Sequence, residues 1–374
     1  MVSLSKQRYS GNPFRRVSYI SPIDEILSIA FKQTANLRMK SSKRRISRVE
    51  KISNFEREKI SSLTLIISQK LERIISQFPW IENLHPFYGE ICDLLGNIDE
   101  IRRILGRLGG IEKQIKELER DHIARLKETD HPKEMAEIRN QANGRMASMV
   151  KKARGDVNYL IRVIKKLKTV PDFNVDYPTV VIAGAPNVGK SSLVREISTG
   201  KPEVAEYPFT TKEIVFGHRD IGIINIQIVD TPGLLDRPFR ERNLIEKQSI
   251  LSIRHISDII LFMFDISKDA TISLEEQFNL FEDIEREFPN VPIIRVLNKI
   301  DLLSEEEITE GKSNLKTQFQ ITMMDVKSLK PLIEEIENIV KSSVLQTEKF
   351  KEILKLTISD EFLQPEEEKI DYKF

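Results

Sequence analysis

Apolar residues recur at helical spacing through roughly the first 170 positions. After residue 178 they give way to short continuous apolar runs separated by further helical patterns. Ser21-Pro22-Ile23-Asp24 reads as a helix start, with a serine cap, a proline at the first helical position and an acid in the first turn. Ile26, Leu27, Ala30 and Phe31 continue that helix on one face. A longer pattern over 41–78 runs through Val49, Ile52, Phe55, Ile60, Leu63, Ile67, Leu71 and Ile74, and Pro79 closes it. A short helix at 86–95 and two long ones at 97–129 and 133–168 complete the set. Strand-like alternation is absent, so residues 1–170 predict an all-α helical bundle.

The stretch 169–178 (TVPDFNVDYP) carries two prolines among short polar residues and reads as a linker, centred on 171–178. Beyond it, apolar runs at 179–183, 223–229, 259–264 and 293–297 alternate with helical patterns at 190–198, 242–256, 274–288 and 326–341. That alternation predicts a doubly wound, mostly parallel α/β sheet over 179–344, with ligands at the carboxyl ends of its strands. An acidic tail, 345–374, follows.

Composition changes this picture in two respects. The net charge of +1 conceals a division: residues 1–170 hold 34 Lys and Arg against 20 Asp and Glu, while the remainder holds 24 against 37. An excess of that size over one half raises the local concentration of polyanions, and nucleic acid is the expected one. Cys92 is the only cysteine, which excludes an intrachain disulfide or a cysteine-built metal site. With no signal-like start and no long apolar run, the reading is a soluble, cytoplasmic chain with no membrane role.

The chemistry lies in the second half. Gly184-Ala185-Pro186-Asn187-Val188-Gly189-Lys190-Ser191, followed by Ser192, matches a phosphate-binding loop between a strand and a helix. Its glycines let backbone N–H groups wrap phosphates, Lys190 would reach the β- and γ-phosphates, and the Ser191 hydroxyl would ligate Mg²⁺. Asp230-Thr231-Pro232-Gly233 ends a strand about 45 residues on, where Asp230 can hold Mg²⁺ through water and the Gly233 amide can sense the γ-phosphate. Asn298-Lys299-Ile300-Asp301 decides the base: a carboxylate at Asp301 accepts both N1–H and the 2-amino hydrogens of guanine, a donor pair that adenine lacks. Asn298 would tie this loop to the phosphate loop, and the Lys299 stem would lie along the base. Tyr207-Pro208-Phe209-Thr210-Thr211 lies between the first two motifs; a threonine there, Thr211 rather than Thr210, would complete the Mg²⁺ shell when a γ-phosphate is present. Lys190, Thr211 and Gly233 are thus the set expected to act at the γ-phosphate. The last base-contact loop is degenerate, with Thr322 and Met323 where many GTPases carry Ser-Ala. Together these readings predict a helical bundle followed by a P-loop GTPase domain that binds GTP and GDP.

The same residues resemble the Obg-related GTPases, and more closely the Nog family of nucleolar GTP-binding proteins. The resemblance rests on Tyr207–Thr211, on DTPGLLDRP at 230–238, on Glu241-Arg242-Asn243 with Ile245-Glu246, and on Phe78-Pro79, His85-Pro86-Phe87-Tyr88 and Gly144-Arg145-Met146 in the helical half. It covers about residues 10–345 and implies a role in assembling the large ribosomal subunit, with precursor RNA and ribosomal proteins as partners. Larger members continue with a basic extension where this chain has its acidic tail, which suggests a compact, archaeal-type form. A basic helical module with few exposed aromatics suits structured RNA, read through backbone and shape. His85–Tyr88 also reads as a plain turn with a buried aromatic pair.

Leu234 stands where Ras-like GTPases place the glutamine that orients water, so intrinsic hydrolysis is expected to be slow. Two remedies suggest themselves: a K⁺ ion ligated by Asn187, or an arginine finger from Arg237, Arg240, Arg242 or a partner. Two function classes remain at this point. One is a timer whose hydrolysis drives release from a maturing particle; the other is a GTP-dependent RNA-binding placeholder that barely turns over. A monomer satisfies both.

Overall fold

The computed structural model describes residues 11–39, 47–207, 213–221, 224–230, 235–236, 242–348 and 350–351. Contacts divide the chain into two units, and the division is not a single cut at the linker. Residues 11–12 and 85–91 group with the second unit, which otherwise begins at Thr169.

The first unit is helical. It contains α1 (Ile23–Ala35), α2 (Arg48–Ser76), the second part of α3 (Pro86–Gly96), α4 (Ile98–Leu126), α5 (Pro132–Lys151) and nearly all of α6 (Arg154–Thr169). α2 packs against α1, α4 and α5. The apolar stripe read from the sequence becomes its buried face: Ile60, Leu63, Ile67 and Leu71 on α2 are fully enclosed, as are Ile101, Leu108 and Ile115 on α4. The Ser47 hydroxyl caps α2 by accepting from the Glu50 amide, and Asn97 caps α4 in the same way.

Two sequence expectations are corrected here. Ser21 does not cap α1; Pro22 occupies the cap position and the Ser21 hydroxyl donates to Glu25 instead. The single helix expected over 133–168 is two, because the backbone tightens to i→i−3 bonds at Lys152 and Ala153. Val150, Ala153 and Val157 keep the apolar register through that junction, so periodicity alone reads one helix.

The second unit is built on a seven-stranded sheet in the order β2-β3-β4-β1-β5-β6-β7. The strands are β1 (Thr179–Gly184), β2 (Glu203–Glu206), β3 (Glu213–Ile221), β4 (Ile224–Asp230), β5 (Ile259–Phe264), β6 (Ile293–Leu297) and β7 (Phe319–Gln320). From β4 to β7 all pairings are parallel; β2–β3 and β3–β4 are antiparallel. Sequence reading missed β2 and β3, and it also missed the helix α10 (Glu305–Leu315). The antiparallel edge has mixed polarity, with a burial pattern on β3 that does not alternate cleanly, so its apolar signal is weak. Helices α7 (Lys190–Ile197), α8 (Leu244–Leu251), α9 (Leu274–Glu287) and α11 (Lys330–Ser342) complete the unit. β1 and β5 are buried along their whole length, as strands covered on both faces must be.

Sheet register sets the site. Ile182 pairs with Asp230, Gly184 with Met263, and Phe264 with Leu297, so the carboxyl ends of β1, β4, β5 and β6 finish at one edge. Among the described residues no helix is long and apolar enough to cross a membrane.

Candidate nucleotide-binding site

The phosphate loop leaves β1 at Gly184 and enters α7 at Lys190. Both of its glycines are required by geometry. Gly184 has φ +137°, and a Cβ there would lie 2.5 Å from the Met263 carbonyl. Gly189 has φ +103°, and a Cβ there would lie 2.4 Å from the Asn298 amide nitrogen. Any L side chain is therefore excluded twice, by backbone strain and by collision. Asn187 adopts φ +60°, a region asparagine tolerates better than most residues.

Within this loop the buried Lys190 ammonium donates to the carbonyls of Gly184 (2.8 Å) and Ala185 (2.7 Å). A cation held on its own loop in this way can transfer its bonds to phosphate oxygens without leaving the site. Ser191 Oγ donates to Asp230 Oδ2, with Asp230 fully buried at the end of β4. A hydroxyl and a carboxylate meeting there form the hard-oxygen donor set that Mg²⁺ prefers. Among the described residues, these two of the expected Mg²⁺ ligands come together. The third, Thr211, lies outside the described residues, as do Phe209, Thr210, Gly233 and Leu234.

The base loop follows β6. The Asn298 side chain donates to the Val188 carbonyl (2.7 Å) and its amide to Phe264 O (2.9 Å), so the base loop is fastened to the phosphate loop through a buried residue. Lys299 takes the left-handed conformation (φ +59°) and its ammonium pairs with Asp265 at 2.6 Å. Asp301 Oδ1 accepts from Thr322 Oγ1, which places the degenerate last loop beside the carboxylate expected to read the base. Thr322 also accepts from the Met324 amide. The Met323 side chain is half-buried and packs against the sheet core.

One sequence candidate fails. Arg242 is buried and pairs with the buried Asp236 at 3.6 Å, so it cannot reach out as an arginine finger. Arg237 and Arg240 lie outside the described residues. The sequence reading also passed over Asp265, Thr271 and Gln277. Thr271 accepts from the Asn187 side chain at 3.2 Å, and Gln277 holds both backbone groups of Asp265 (3.0 and 2.7 Å). Position was the available signal: Asp265 directly follows β5 at the same edge where Asp230 and Asn298 stand.

Comparisons with known proteins agree with this architecture. A family model described as the NOG1 N-terminal helical domain matches residues 14–174, and one described as a 50S ribosome-binding GTPase matches residues 179–299. An uncharacterized protein of Methanocaldococcus jannaschii is 33% identical over 298 residues, covering 80% of this chain and 83% of its own length. Nucleolar GTP-binding protein 1 of Drosophila melanogaster is 33% identical over 311 residues, covering 82% of this chain and 47% of its own length.

The chain belongs to the nucleolar GTP-binding protein family.

It spans about half the length of the curated family members named nucleolar GTP-binding protein 1 that it matches. A solved Plasmodium falciparum chain described as a nucleolar GTP-binding protein 1 is 32% identical, covers 49% of this chain and 96% of its own, and aligns with a TM-score of 0.38. Family membership brings a GTPase domain, guanine-nucleotide binding and, as is usual for GTPases, Mg²⁺.

Proposed function

We propose that this protein hydrolyses GTP slowly and serves as a nucleotide-controlled assembly factor for the large ribosomal subunit, docked by its basic helical half on structured RNA. The observation that carries the reading is the joining, in one chain, of a guanine-nucleotide site to a helical module with 34 basic against 20 acidic residues over 1–170. The 50S ribosome-binding description of the matching GTPase model and the nucleolar names of the relatives support the setting.

At the site, the loop 184–192 cradles the phosphates, Lys190 neutralises their charge, and Asp301 with Thr322 selects guanine. Mg²⁺ would be held by Ser191 and Thr211 directly and by Asp230 through water, supplying positive charge at the β- and γ-phosphates. Gly233 senses the γ-phosphate. Asn187 spends its side-chain nitrogen on Thr271, which leaves the amide oxygen as the atom for a K⁺ ion beside the phosphates. Equal turnover in KCl and NaCl would remove that K⁺ role.

The deciding experiment is retention on purified large ribosomal subunits with a GTP analogue, GDP or no nucleotide. Retention with the analogue alone, lost on charge reversal across Arg145, Lys151 and Lys152, supports an RNA-docked switch. No retention in any state removes the ribosome from the proposal. Leu234 in place of the water-orienting glutamine keeps a second reading in play, a placeholder that leaves without hydrolysis. Equal release rates with GTP and its analogue would favour it.

A further inference from the structure

The loop between β5 and α9 contains none of the nucleotide motifs, yet it touches two of them. Asp265 is its first residue, brought beside the base loop because Phe264 pairs with Leu297 and accepts the Asn298 amide. The Asp265 carboxylate is only 4% exposed. A buried charge of that kind persists only when it is paired and hydrogen-bonded. Both oxygens are engaged: Oδ2 faces the Lys299 ammonium at 2.6 Å, and Oδ1 accepts from the Ser267 amide at 2.9 Å. Gln277, itself 1% exposed, donates to Asp265 O and accepts from Asp265 N, and its second donor bond goes to Ile272 O at 3.2 Å. Ile266 of the same loop packs beside Gly311 of α10, and these bonds add to that contact in holding Asp265 in place.

We propose that Asp265 is a positioning residue of the purine site: it holds the Lys299 ammonium so that the methylene stem forms a flat floor for the base. Thr271, on the same loop, fastens it to the phosphate loop through Asn187. This deepens the functional reading above and rests on Lys299 lying along the base. The physical case is one of preorganisation. A lysine stem has four rotatable bonds, and tethering its charged end removes most of that freedom before the base arrives. The left-handed backbone at Lys299 directs the start of the stem, and Asp265 fixes its end. Gln277 explains why the tether does not drift.

The competing account is an ion pair that only stabilises the fold. The two differ in what a nucleotide feels. A floor contacts the ring face, so its loss weakens GDP and inosine diphosphate by the same factor; Asp301 reads the ring edge and separates them.

The test uses the full chain with fluorescent GDP and inosine diphosphate in stopped flow, and urea unfolding in parallel. Asp265→Asn is expected to speed GDP release about tenfold, with an equal effect on inosine diphosphate, the size expected for a partly buried charged contact. Lys299→Met should do the same, and the double variant should be no worse than either single one, because both remove one shared contact. Thr271→Val, at an exposed position that leaves the core untouched, should speed release about threefold, as a lost neutral hydrogen bond would. Release at the wild-type rate in Asp265→Asn, or losses that multiply in the double variant, overturns the proposal. If Asp265→Asn does not fold, Lys299→Met and Thr271→Val carry the decision, and wild-type release in both overturns it. A wild-type chain that fails to bind GDP at all overturns the functional reading as well, so the two failures are distinguishable.

Discussion

Phe87 lies in the sequence of the helical half, yet its truncation should weaken the nucleotide-binding unit. The residue is completely buried and belongs to the segment 85–91 that groups with the second unit. Its ring meets Tyr88 edge-on at 4.9 Å and Phe173 edge-on at 5.2 Å, with Tyr207 at 6.5 Å. Tyr88 is anchored in turn by donating to the carbonyls of Pro171 and Phe173. Phe87→Ala removes the centre of this cluster. Large-to-small truncation of a buried aromatic costs about 3–5 kcal/mol, and two edge-to-face pairs place the expectation in the upper part of that range. For a unit of this size each kcal/mol lowers the melting temperature by about 2–4 °C, so the shift should be roughly 10 °C or more. A chain with two units need not melt in one step, so the assay must assign the transitions. GDP stabilises only the unit that binds it. Calorimetry with and without GDP therefore marks the transition that belongs to the second unit, and Phe87→Ala should lower that one. A shift confined to the GDP-insensitive transition, or a loss under about 1 kcal/mol, would refute the reasoning.

The other predictions probe the site and the core separately. Gly189→Ala should abolish nucleotide binding and destabilise the second unit by about 2–4 kcal/mol, combining left-handed strain with displacement of the Asn298 side chain from Val188; isothermal titration and urea unfolding measure the two effects. Asp301→Asn should exchange guanine for xanthine preference, since an amide donates where xanthine carries a second carbonyl; competition between GDP and xanthosine diphosphate would show it. The Cys92 thiol is pushed up to about 12, first by burial and then by the nearby Asp93 charge. It should resist alkylation at pH 8 until urea unfolds the chain. Because the folded value is raised, its contribution to stability is complete below the unfolded value of about 9 and is lost as pH rises from there towards 12. A Cys92→Ala variant should lack that alkaline loss.

The sequence by itself determined the helical and α/β halves, the nucleotide motifs and the choice of guanine. Those properties reside in local spacing. A strand followed by Gly184–Ser191 and a helix forms a phosphate loop wherever it stands, and Asp301 carries its chemistry in a single carboxylate. The apolar stripes of α2 and α4 were equally legible because each is long and regular. Only the tertiary structure decided what those elements meet. The carboxyl ends of β1, β4, β5 and β6 share one edge through register, which no single segment encodes. That is why Asp265, distant in sequence from Lys299, was passed over until pairing of β5 with β6 placed them 2.6 Å apart. Arg242 looked available as a charge beside the phosphates and proved to be buried on Asp236, because exposure is a property of packing rather than of residue type. The weakly patterned β3 strand formed because β4 offered it a partner along its length. Residues 85–91 read as part of the helical half, and their large aromatic side chains group with the nucleotide-binding unit because that unit supplies Phe173 and Tyr207 to bury them.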